Sequence, residues 1–418
     1  MKVAVIGSGG REHTLVWKIS KSPMVTKIYA LPGNGGISDI AECVPIGSED
    51  ISGIISFCKE SKIDLVMIGP EAPLSKGLAE TLREQGIAAV GPDSRCAMLE
   101  SSKVWAKEFM IKHGIPTAGY RTVTDRNSLM RAVDELGLPI VIKMDGLCAG
   151  KGVFICKNMM EVESAVENIY GVASGNKVVV EEFLEGNEAS YMIFTDGQSY
   201  IPLVTSRDHK RIFDEDKGPN TGGMGAVSPA PLDEGMDEKI RTSIIKPLLK
   251  ALKNEDMHYN GVIYAGLMIC PGNDIRVLEF NARFGDPETQ AILTRMESDI
   301  MDILVPLGTI SKLPSNYTVK WNHGVSCCVV LAQKGYPDDY EKGVNMPNLK
   351  NIKPGKDEFI FHAGTIKKKD EYYTNGGRVL GVTAIGLTLD EARLKAYSLA
   401  EKVAWNSAYY RKDIGVWR

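Results

Sequence analysis

The chain lacks the features that mark membrane, secreted and nucleic-acid-binding proteins. Its 49 basic and 53 acidic residues leave a formal net charge of −4, so there is no basic excess of the kind that binds nucleic acid or anionic membranes. The longest apolar runs, such as residues 261–270, are shorter than the roughly 20 residues that cross a bilayer. The first residues lack the basic flank and long apolar stretch of a signal peptide. We therefore expect a cytoplasmic protein that binds neither membrane nor nucleic acid.

Cysteine is present but follows no pattern. None of the eight cysteines forms a Cys-x-x-Cys pair, which argues against a zinc site or a disulfide redox motif. A chain of 418 residues can bury a large core without disulfides, so we expect reduced and mostly buried thiols. Cys148 lies in a glycine-rich loop and is the one candidate nucleophile, but a small loop residue is the simpler interpretation.

The first hundred residues alternate between apolar strands and amphipathic helices. The pattern predicts strands at residues 2–6, 27–31, 65–68 and 88–90, and helices at residues 12–20 and 75–85. Continuous apolar strands separated by helices indicate a parallel sheet that is covered on both faces. Ligands bind such a sheet where strands end, which here means the loops at residues 7–13, 32–36 and 69–73.

The remaining chain predicts further units that mix helices and strands. A small α+β unit has helices at residues 103–113 and 161–170 and strands at residues 138–143, 153–156 and 178–183. A larger region has strands at residues 189–195, 200–204, 261–269 and 276–280, a helix at residues 238–253 and a long polar loop at residues 207–225. The last segment has strands at residues 324–331, 359–366 and 379–385 and a helix at residues 389–403.

The first strand runs into a glycine turn, GSGGREH at residues 7–13, which is similar to a dinucleotide-binding fingerprint but departs from it twice. Glu12 occupies the third glycine position, and the second strand ends at residues 31–34 without a carboxylate for a ribose. Backbone amides at this helix start suit a polar substrate, and Glu12 suits an amine or hydroxyl groups. A plain tight turn is the alternative interpretation.

A second glycine-rich loop joins two predicted strands at residues 143–152. Its backbone N–H groups could bind phosphate oxygens, and Lys143 and Lys151 would supply positive charge. It is not a Walker A loop, because no Gly-Lys-Ser/Thr opens a helix there. We predict a lid over a nucleotide, with a flexible hairpin as the alternative.

The apolar strand that ends in carboxylates at residues 178–188 could supply hydrogen bonds to an adenine edge and a ribose.

The sharpest pattern lies at residues 276–290. Glu279 and Asn281 interrupt an apolar strand and are two residues apart, so they point to the same face of that strand. Oxygen ligands are what Mg²⁺ prefers, with phosphate oxygens and water completing the octahedron. Arg283 adds a positive group for a phosphoryl group in transfer, and Asp286 lies in the turn beside it.

These motifs resemble the ATP-grasp superfamily and, within it, the phosphoribosylamine–glycine ligases. The resemblance covers essentially the whole chain and rests above all on RFGDPETQ at residues 283–290. Further motifs in the family's order are GGREH at 9–13, GN at 33–34, GPEAPL at 69–74, DGLCAGKG at 145–152, DHK at 208–210, GPNTGGMG at 218–225, HAGT at 362–365, NGGRVL at 375–380 and RKDIG at 411–415.

The resemblance implies a multidomain α/β and α+β fold. We expect a preATP-grasp N-terminal parallel-sheet domain at residues 1–100, and a small ATP-grasp lid subdomain with its linker at residues 101–188. A large ATP-grasp subdomain at residues 189–323 and a small C-terminal α+β domain at residues 324–418 would follow. The implied reaction joins glycine to 5-phospho-β-D-ribosylamine in purine biosynthesis, with ATP cleaved to ADP and phosphate through glycyl phosphate. The resemblance also implies that a monomer carries it out.

The resemblance further implies roles for individual residues. The metal pair is Glu279 and Asn281, which would hold Mg²⁺ or Mn²⁺, and residues 264–268 lack the further carboxylate that many superfamily members place there. Catalysis would involve Arg283 and Lys143. The nucleotide would contact Lys103, Lys143, Gly150, Lys151, Gly152, Glu181, Glu182, Phe183, Leu184 and Glu188. The other substrates would contact Gly10, Arg11, Glu12, Asn34, Glu71, Asp208, Lys210, Asp286 and Arg378.

Three other functions share part of this pattern. An ATP-grasp enzyme that activates bicarbonate or formate would have the same metal and nucleotide motifs, but the loops at residues 218–225 and 283–290 favour glycine and phosphoribosylamine. A nicotinamide-dependent dehydrogenase could use the N-terminal sheet, against which Glu12 argues. A nucleotide sensor without activity would not need Glu279, Asn281 and Arg283 together.

Overall fold

A five-stranded parallel sheet forms the N-terminal part of the computed structural model, which describes residues 1–148, 152–171, 175–314 and 317–416. In chain order its elements are β1 (Lys2–Gly7), α1 (Gly10–Ile19), β2 (Lys27–Pro32), β3 (Glu42–Cys43), α2 (Ile51–Ser61), β4 (Leu65–Ile68), α3 (Glu71–Ser75), α4 (Leu78–Glu84) and β5 (Ala89–Val90). The strand order is β3-β2-β1-β4-β5, and every neighbouring pair is parallel, which confirms the predicted sheet.

Both faces of this sheet are buried because side chains alternate along β1. Val3 and Val5 pack on one face with helix α1, whereas Ala4 and Ile6 pack on the other face with α2 and α4. One predicted helix, at residues 75–85, is wrong in detail. It is replaced by α3 and α4, because Gly77 adopts a left-handed conformation with φ of 84° between them.

A four-stranded antiparallel sheet follows, in the order β6-β9-β7-β8. Its region comprises α5 (Ser94–Ser101), α6 (Lys103–Lys112), β6 (Tyr120–Val123), α7 (Arg126–Leu136), β7 (Ile140–Met144), β8 (Val153–Cys156), α8 (Met159–Tyr170) and β9 (Val178–Glu182). Lys143 pairs with Val153, so β7 and β8 form the predicted hairpin around the glycine-rich loop. The loop residues 149–151 lie outside the described part of the chain.

The third region builds a second antiparallel sheet, in the order β11-β10-β16-β17. Its elements are β10 (Asn187–Thr195), β11 (Tyr200–Pro202), β12 (Arg207–Asp208), β13 (Arg211–Phe213), β14 (Lys217–Asn220), β15 (Gly225–Ser228), α9 (Met236–Ile240), α10 (Lys246–Asn254), β16 (Gly261–Cys270), β17 (Asp274–Asn281), α11 (Glu288–Leu293) and α12 (Met301–Gly308). A π-helical turn at Arg241–Ile245 joins α9 to α10. Short 3-10 turns among the described residues lie at Ile37–Asp39, Asp214–Asp216, Pro271–Asn273 and Leu349–Asn351.

The predicted polar loop at residues 207–225 is wrong, because it contains β12 and the antiparallel hairpin of β13 and β14. Ile212 is the apolar anchor of this hairpin and is buried in the C-terminal core. Arg411 also stabilises it from the far end of the chain, by donating from Nη1 to the Arg211 carbonyl at 3.0 Å. The charged residues around Ile212 hide the strand signal in the sequence.

The C-terminal sheet has the order β12-β15-β18-β22-β19, so it takes two strands from the preceding region. Its remaining elements are β18 (Val325–Gln333), β19 (Glu358–His362), β20 (Thr365–Lys368), β21 (Glu371–Thr374), β22 (Arg378–Gly386), α13 (Leu389–Val403) and β23 (Ala408–Tyr409). The predicted strand at residues 359–366 is two strands, separated at Gly364, where a Cβ would lie 2.5 Å from Gly376 Cα. No helix in the described ranges is long and apolar enough to span a bilayer.

Candidate active site

One cavity of about 810 Å³ collects most of the predicted site residues from all four regions. Its lining includes Arg11, Glu71, Lys103, Lys143, Gly152, Glu181, Glu182, Phe183, Leu184, Glu188, Asp208, Lys210, Glu279, Asn281, Arg283, Asp286 and Arg378. Gly10, Glu12 and Asn34 are not among the lining residues. Gly150 and Lys151, predicted to contact the nucleotide, lie outside the described residues.

A β-bulge shapes the strand that carries the predicted metal ligands. Glu279 lies opposite Gly266 on β16, but Val277 lies opposite Leu267, so Leu278 is an extra residue in β17. The Leu278 carbonyl accepts a hydrogen bond from Lys143 Nζ at 3.0 Å. Glu279 and Asn281 both line the cavity, and the intervening Phe280 is buried in the core. We call β17, which carries the predicted metal ligands, the metal strand, and the β6-β9-β7-β8 sheet the lid sheet. The bulge therefore places a carbonyl of the metal strand within hydrogen-bond distance of a lysine of the lid sheet.

The carboxylate of Glu279 is kept ionised by the lysines around it. Burial raises its pKa, but the charges of Lys210, Lys143 and Lys103 outweigh burial and lower the pKa to about 2. Lys210 Nζ lies 3.7 Å from Glu279 and 3.4 Å from Glu188. An ionised carboxylate and an amide oxygen fit a hard divalent cation. Within the described ranges no three acidic, histidine or cysteine side chains cluster as a metal site.

A buried triad of two lysines and one glutamate lines the cavity. Glu181 Oε2 lies 3.0 Å from Lys143 Nζ and 3.1 Å from Lys107 Nζ. Lys107 also donates to Thr117 Oγ1 at 2.7 Å. Burial lowers the pKa of Lys107 to about 8, more than the charge of Glu181 raises it. Glu181 Oε1 is buried and accepts no hydrogen bond from the described residues, so it can accept one from a ligand in the cavity.

Arg283 lies between two carboxylates on the opposite side of the cavity. Its Nε donates to Glu71 Oε2 at 3.1 Å, and its Nη2 lies 2.6 Å from Glu100 Oε1. Burial raises the pKa of Glu100 to about 7, against the lowering effect of Arg283. Burial would also raise the pKa of Glu71, but Arg283 and Arg11 lower it to about 2. At neutral pH, Glu71 therefore stays charged.

The side chains that organise the N-terminal loop already have hydrogen-bond partners within the protein. Glu12 accepts from Gly9 N and from Arg11 Nε, both at 2.6 Å, and is 2 % exposed. A Cβ at Gly69 would lie 2.2 Å from Glu12 Oε1, which explains the glycine that follows β4. The Asn34 amide donates to the Ser8 and His362 carbonyls and accepts from two backbone amides. The Asn34 side chain thus fixes the loop, and a substrate contact there would have to come from its main chain.

Arg378 closes the cavity on the side of the C-terminal sheet. Its Nη1 donates to the carbonyl of Asp286 at 2.7 Å and lies 3.5 Å from the Asp286 carboxylate. Burial raises the pKa of Asp286, but the charges of Arg378 and Arg11 outweigh burial and lower the pKa below its usual value. Asp286 is therefore ionised at neutral pH. The Gly222 carbonyl also accepts from Arg378 Nη1, which places the glycine-rich segment at residues 218–225 beside this arginine. The predicted substrate residues Asp286 and Arg378 therefore lie together.

Several residues that line the cavity were not predicted as site residues, among them Glu100, Lys107, Tyr264 and Glu288. Tyr264 donates to Glu288 Oε1 at 2.6 Å, so these two form a buried polar pair. Glu288 belongs to the RFGDPETQ motif, which could have indicated it. Glu100 lies on α5 and Lys107 on α6, where no local pattern distinguishes them, and most of their partners are distant in the sequence.

The chain matches the sequence profiles of one enzyme family along most of its length. The phosphoribosylglycinamide synthetase N domain matches residues 1–100, the ATP-grasp (A) domain residues 101–289 and the C domain residues 326–417. The chain belongs to the phosphoribosylglycinamide synthetase family. This assignment confirms the predicted family and the three-part fold with an N-terminal parallel sheet, an ATP-grasp domain and a C-terminal domain.

Individual relatives of this synthetase family are similar to the chain over nearly its full length. The chain is 45 % identical over 429 residues to "Phosphoribosylamine--glycine ligase" of Escherichia coli strain K12, covering 100 % of this chain and 98 % of the relative. The protein of the same name from Vibrio parahaemolyticus is 44 % identical over 423 residues, covering 99 % of this chain and 98 % of the relative. A crystal structure of phosphoribosylamine–glycine ligase from Thermotoga maritima superposes with a TM-score of 0.85 at 35 % identity, covering 99 % of this chain and 100 % of that one.

More distant structures share the fold alone. A biotin carboxylase domain from Hydrogenobacter thermophilus, in complex with MgADP and bicarbonate, superposes with a TM-score of 0.73 at 17 % identity, covering 98 % of this chain and 91 % of that one. ATP-grasp enzymes use ATP and a divalent metal ion, which agrees with the ionised Glu279 and the lysines around it. Membership of the synthetase family does not support the dehydrogenase alternative.

Proposed function

We propose that the protein joins glycine to 5-phospho-β-D-ribosylamine, with ATP cleaved to ADP and phosphate, to give glycinamide ribonucleotide in de novo purine biosynthesis. The observation that carries this proposal is a single cavity in which Glu279 and Asn281 lie between the lysines of the lid sheet and the arginines near the N-terminal loop. The names and full-length similarity of the relatives support the choice of substrates. Such an enzyme needs both a nucleotide site and an acceptor site, and this cavity has two chemically different sides.

The nucleotide is proposed to bind on the side of the lid sheet. Lys103 and Lys143 contact the phosphates, and Glu181, with residues 182–184 and Glu188, holds the adenosine. Gly150, Lys151 and Gly152 belong to the lid in this proposal. Glu279 and Asn281 would hold Mg²⁺ or Mn²⁺, which neutralises charge on the phosphates when bound. Lys210, Lys143 and Lys103 lie close enough to Glu279 to lower its pKa, so three positive groups are at hand for the phosphates.

The acceptor amine is proposed to bind between the N-terminal loop and the C-terminal sheet. Glu71 and Asp286 accept hydrogen bonds from the ribose hydroxyls or the amine, and Arg378 meets the 5′-phosphate. Arg11, with Gly10, Glu12 and Asn34 behind it, shapes this side of the cavity, and Asp208 and Lys210 lie at its junction with the metal strand. The proximity of Arg378 to Asp286 supports this grouping.

The proposed reaction has two steps. A carboxylate oxygen of glycine attacks the γ-phosphorus of ATP, which releases ADP and forms glycyl phosphate. The amine nitrogen of phosphoribosylamine then attacks the acyl carbon, the C–O bond to phosphate breaks, and the nitrogen loses a proton. No protein nucleophile is needed, so the chain's residues act by positioning the reactants and by stabilising charge, with Arg283 placed for the phosphoryl group. The lid proposed at residues 143–152 would keep water from glycyl phosphate.

We further propose that the enzyme acts as a monomer in the cytoplasm. All eight cysteines are free thiols, as suits a reducing compartment. Light scattering across a range of protein concentrations tests the monomer. A molecular mass well above 45.7 kDa would contradict it.

An omission assay tests the proposed function. We expect rapid ADP release and amide formation only when ATP, glycine and phosphoribosylamine are all present with a divalent cation. The measurement is ADP and glycinamide ribonucleotide formed in parallel, with each substrate left out in turn. Activity with bicarbonate or formate in place of glycine would contradict the proposed carboxylate substrate.

Arg378→Ala is expected to raise the KM for phosphoribosylamine by about tenfold or more and to leave the KM for ATP nearly unchanged. The reason is the loss of a charge-assisted contact to a phosphate, which is worth about 1.5–3 kcal/mol. Steady-state kinetics with each substrate varied in turn measures both constants. Arg393→Ala, which alters an arginine on α13 away from the cavity, is the matched control. A rise in the KM for ATP alone would count against the assignment of Arg378.

A further inference from the structure

Five charged side chains of alternating sign form a continuous series of ion pairs beside the cavity. In order they are Glu100, Arg283, Glu71, Arg11 and Glu12. The successive separations are 2.6 Å, 3.1 Å, 3.8 Å and 2.6 Å. The two arginines also converge on one acceptor, because Arg11 Nη1 and Arg283 Nη1 each donate to the Phe284 carbonyl at 3.1 Å. We call this set the ion chain, and it runs from the last turn of α5 to the first turn of α1.

Each of the three guanidinium nitrogens of Arg283 already contacts a protein group in this arrangement. Its Nε donates to Glu71, its Nη1 donates to the Phe284 carbonyl, and its Nη2 lies beside Glu100. A single guanidinium between two carboxylates presents little net positive charge to the cavity. Release of the ionised Glu71 carboxylate would therefore increase the positive charge that Arg283 offers to a phosphoryl group in transfer.

Glu71 is the member of the ion chain that can move. Its side chain is 31 % exposed and lines the cavity, whereas that of Glu100 is 8 % exposed. Glu100 is also fixed by a second contact, since its Oε2 accepts from Ala282 N at 2.7 Å. Glu71 is the first residue of the short helix α3, and its two ionic partners are Arg283 and Arg11. Hydrogen-bond donors on a ligand in the cavity can therefore compete for Glu71.

We propose that Glu71 is a positioning residue that couples binding of the acceptor amine to phosphoryl transfer. When the hydroxyl and amine donors of phosphoribosylamine bind Glu71, its carboxylate leaves Arg283. The charge of Arg283 is then available to the γ-phosphoryl group. Without the amine, Glu71 keeps Arg283 neutralised, and glycyl phosphate does not form where only water could consume it. This inference rests on the proposed function, because it assigns that function's acceptor to Glu71.

The test is ADP release from ATP and glycine with phosphoribosylamine omitted. The wild-type enzyme is expected to release ADP slowly in this mixture. Glu71→Gln keeps the shape of the side chain but removes its charge, so we expect glycine-dependent ADP release to rise at least about tenfold. Glu71→Ala is expected to give the same rise, and Glu71→Asp, which restores a carboxylate, is expected to return release towards the wild-type rate. A purely structural role would not increase any rate.

Glu49→Gln is the matched control, because Glu49 forms an exposed ion pair with Lys76 at 2.7 Å outside the cavity. The complete mixture is run in parallel, and failure of the wild-type enzyme to form amide there would overturn the proposed function separately. Unchanged amine-free ADP release in both Glu71→Gln and Glu71→Ala, with only a raised KM for phosphoribosylamine, would overturn the coupling. That result would leave Glu71 as a binding residue alone.

Discussion

Glu279→Gln is expected to lower turnover by about 10²–10³-fold while the protein stays folded. The substitution keeps the size of the side chain and removes one negative charge. In the wild-type protein the lysines around Glu279 lower its pKa to about 2, so this charge is present at neutral pH. The loss would weaken cation binding and leave Lys210 without one of its two carboxylate neighbours. Steady-state turnover at saturating Mg²⁺ measures the effect, and thermal melting confirms the fold.

Glu238→Gln provides the control for Glu279→Gln. Glu238 is an exposed glutamate that pairs with Lys246 at 3.3 Å on the helix of the same region. Its substitution should change neither turnover nor melting temperature appreciably, because exposed ion pairs contribute about 0–1 kcal/mol. Near-normal turnover of Glu279→Gln at saturating Mg²⁺ would contradict the metal assignment.

Lys143→Ala is expected to weaken ATP binding by about 10- to 100-fold and to affect glycine binding much less. Lys143 Nζ lies 3.0 Å from both Glu181 Oε2 and the Leu278 carbonyl, so it connects the lid sheet to the metal strand. Removing the ammonium takes positive charge from the nucleotide side and leaves Glu181 with Lys107 as its ionic partner. Isothermal titration calorimetry with ATP measures the change.

The matched control for Lys143→Ala is Lys157→Ala, which alters an exposed lysine just after β8. Melting curves for both variants separate a loss of binding from a loss of fold, because Lys143 is buried and its removal also costs stability. Unchanged ATP affinity in folded Lys143→Ala would rule out the proposed phosphate contact.

The sequence predicts those parts of the site whose signal is local. Glu279 and Asn281 interrupt an apolar strand, and Lys143 precedes a glycine-rich loop, so residue type and spacing were enough to indicate both. Parallel strands of the N-terminal sheet are equally visible, because each is a continuous apolar run buried on both faces. Family resemblance then supplied the acceptor side, where Asp286 and Arg378 are 92 residues apart in the chain.

The parts that escaped prediction depend on contacts between distant segments. Glu100 is missed because its role depends on contacts with Ala282 and Arg283, which follow β17. Ala282 lies 182 residues further along the chain than Glu100. The β13–β14 hairpin is missed because Arg411 contributes to it from 200 residues further along the chain. The bulge at Leu278 leaves no mark on the apolar pattern of β17, although it determines where Lys143 makes its contact.

The central claim is that glycine is activated by direct phosphoryl transfer from ATP. Oxygen-18 in both carboxylate oxygens of glycine tests it, with mass spectrometry of the phosphate and the amide released from the complete reaction. If a carboxylate oxygen attacks the γ-phosphorus and the C–O bond later breaks, each turnover places one labelled oxygen in phosphate and leaves the other in the amide carbonyl. Unlabelled phosphate, with the lost oxygen recovered in water, would contradict a glycyl phosphate intermediate.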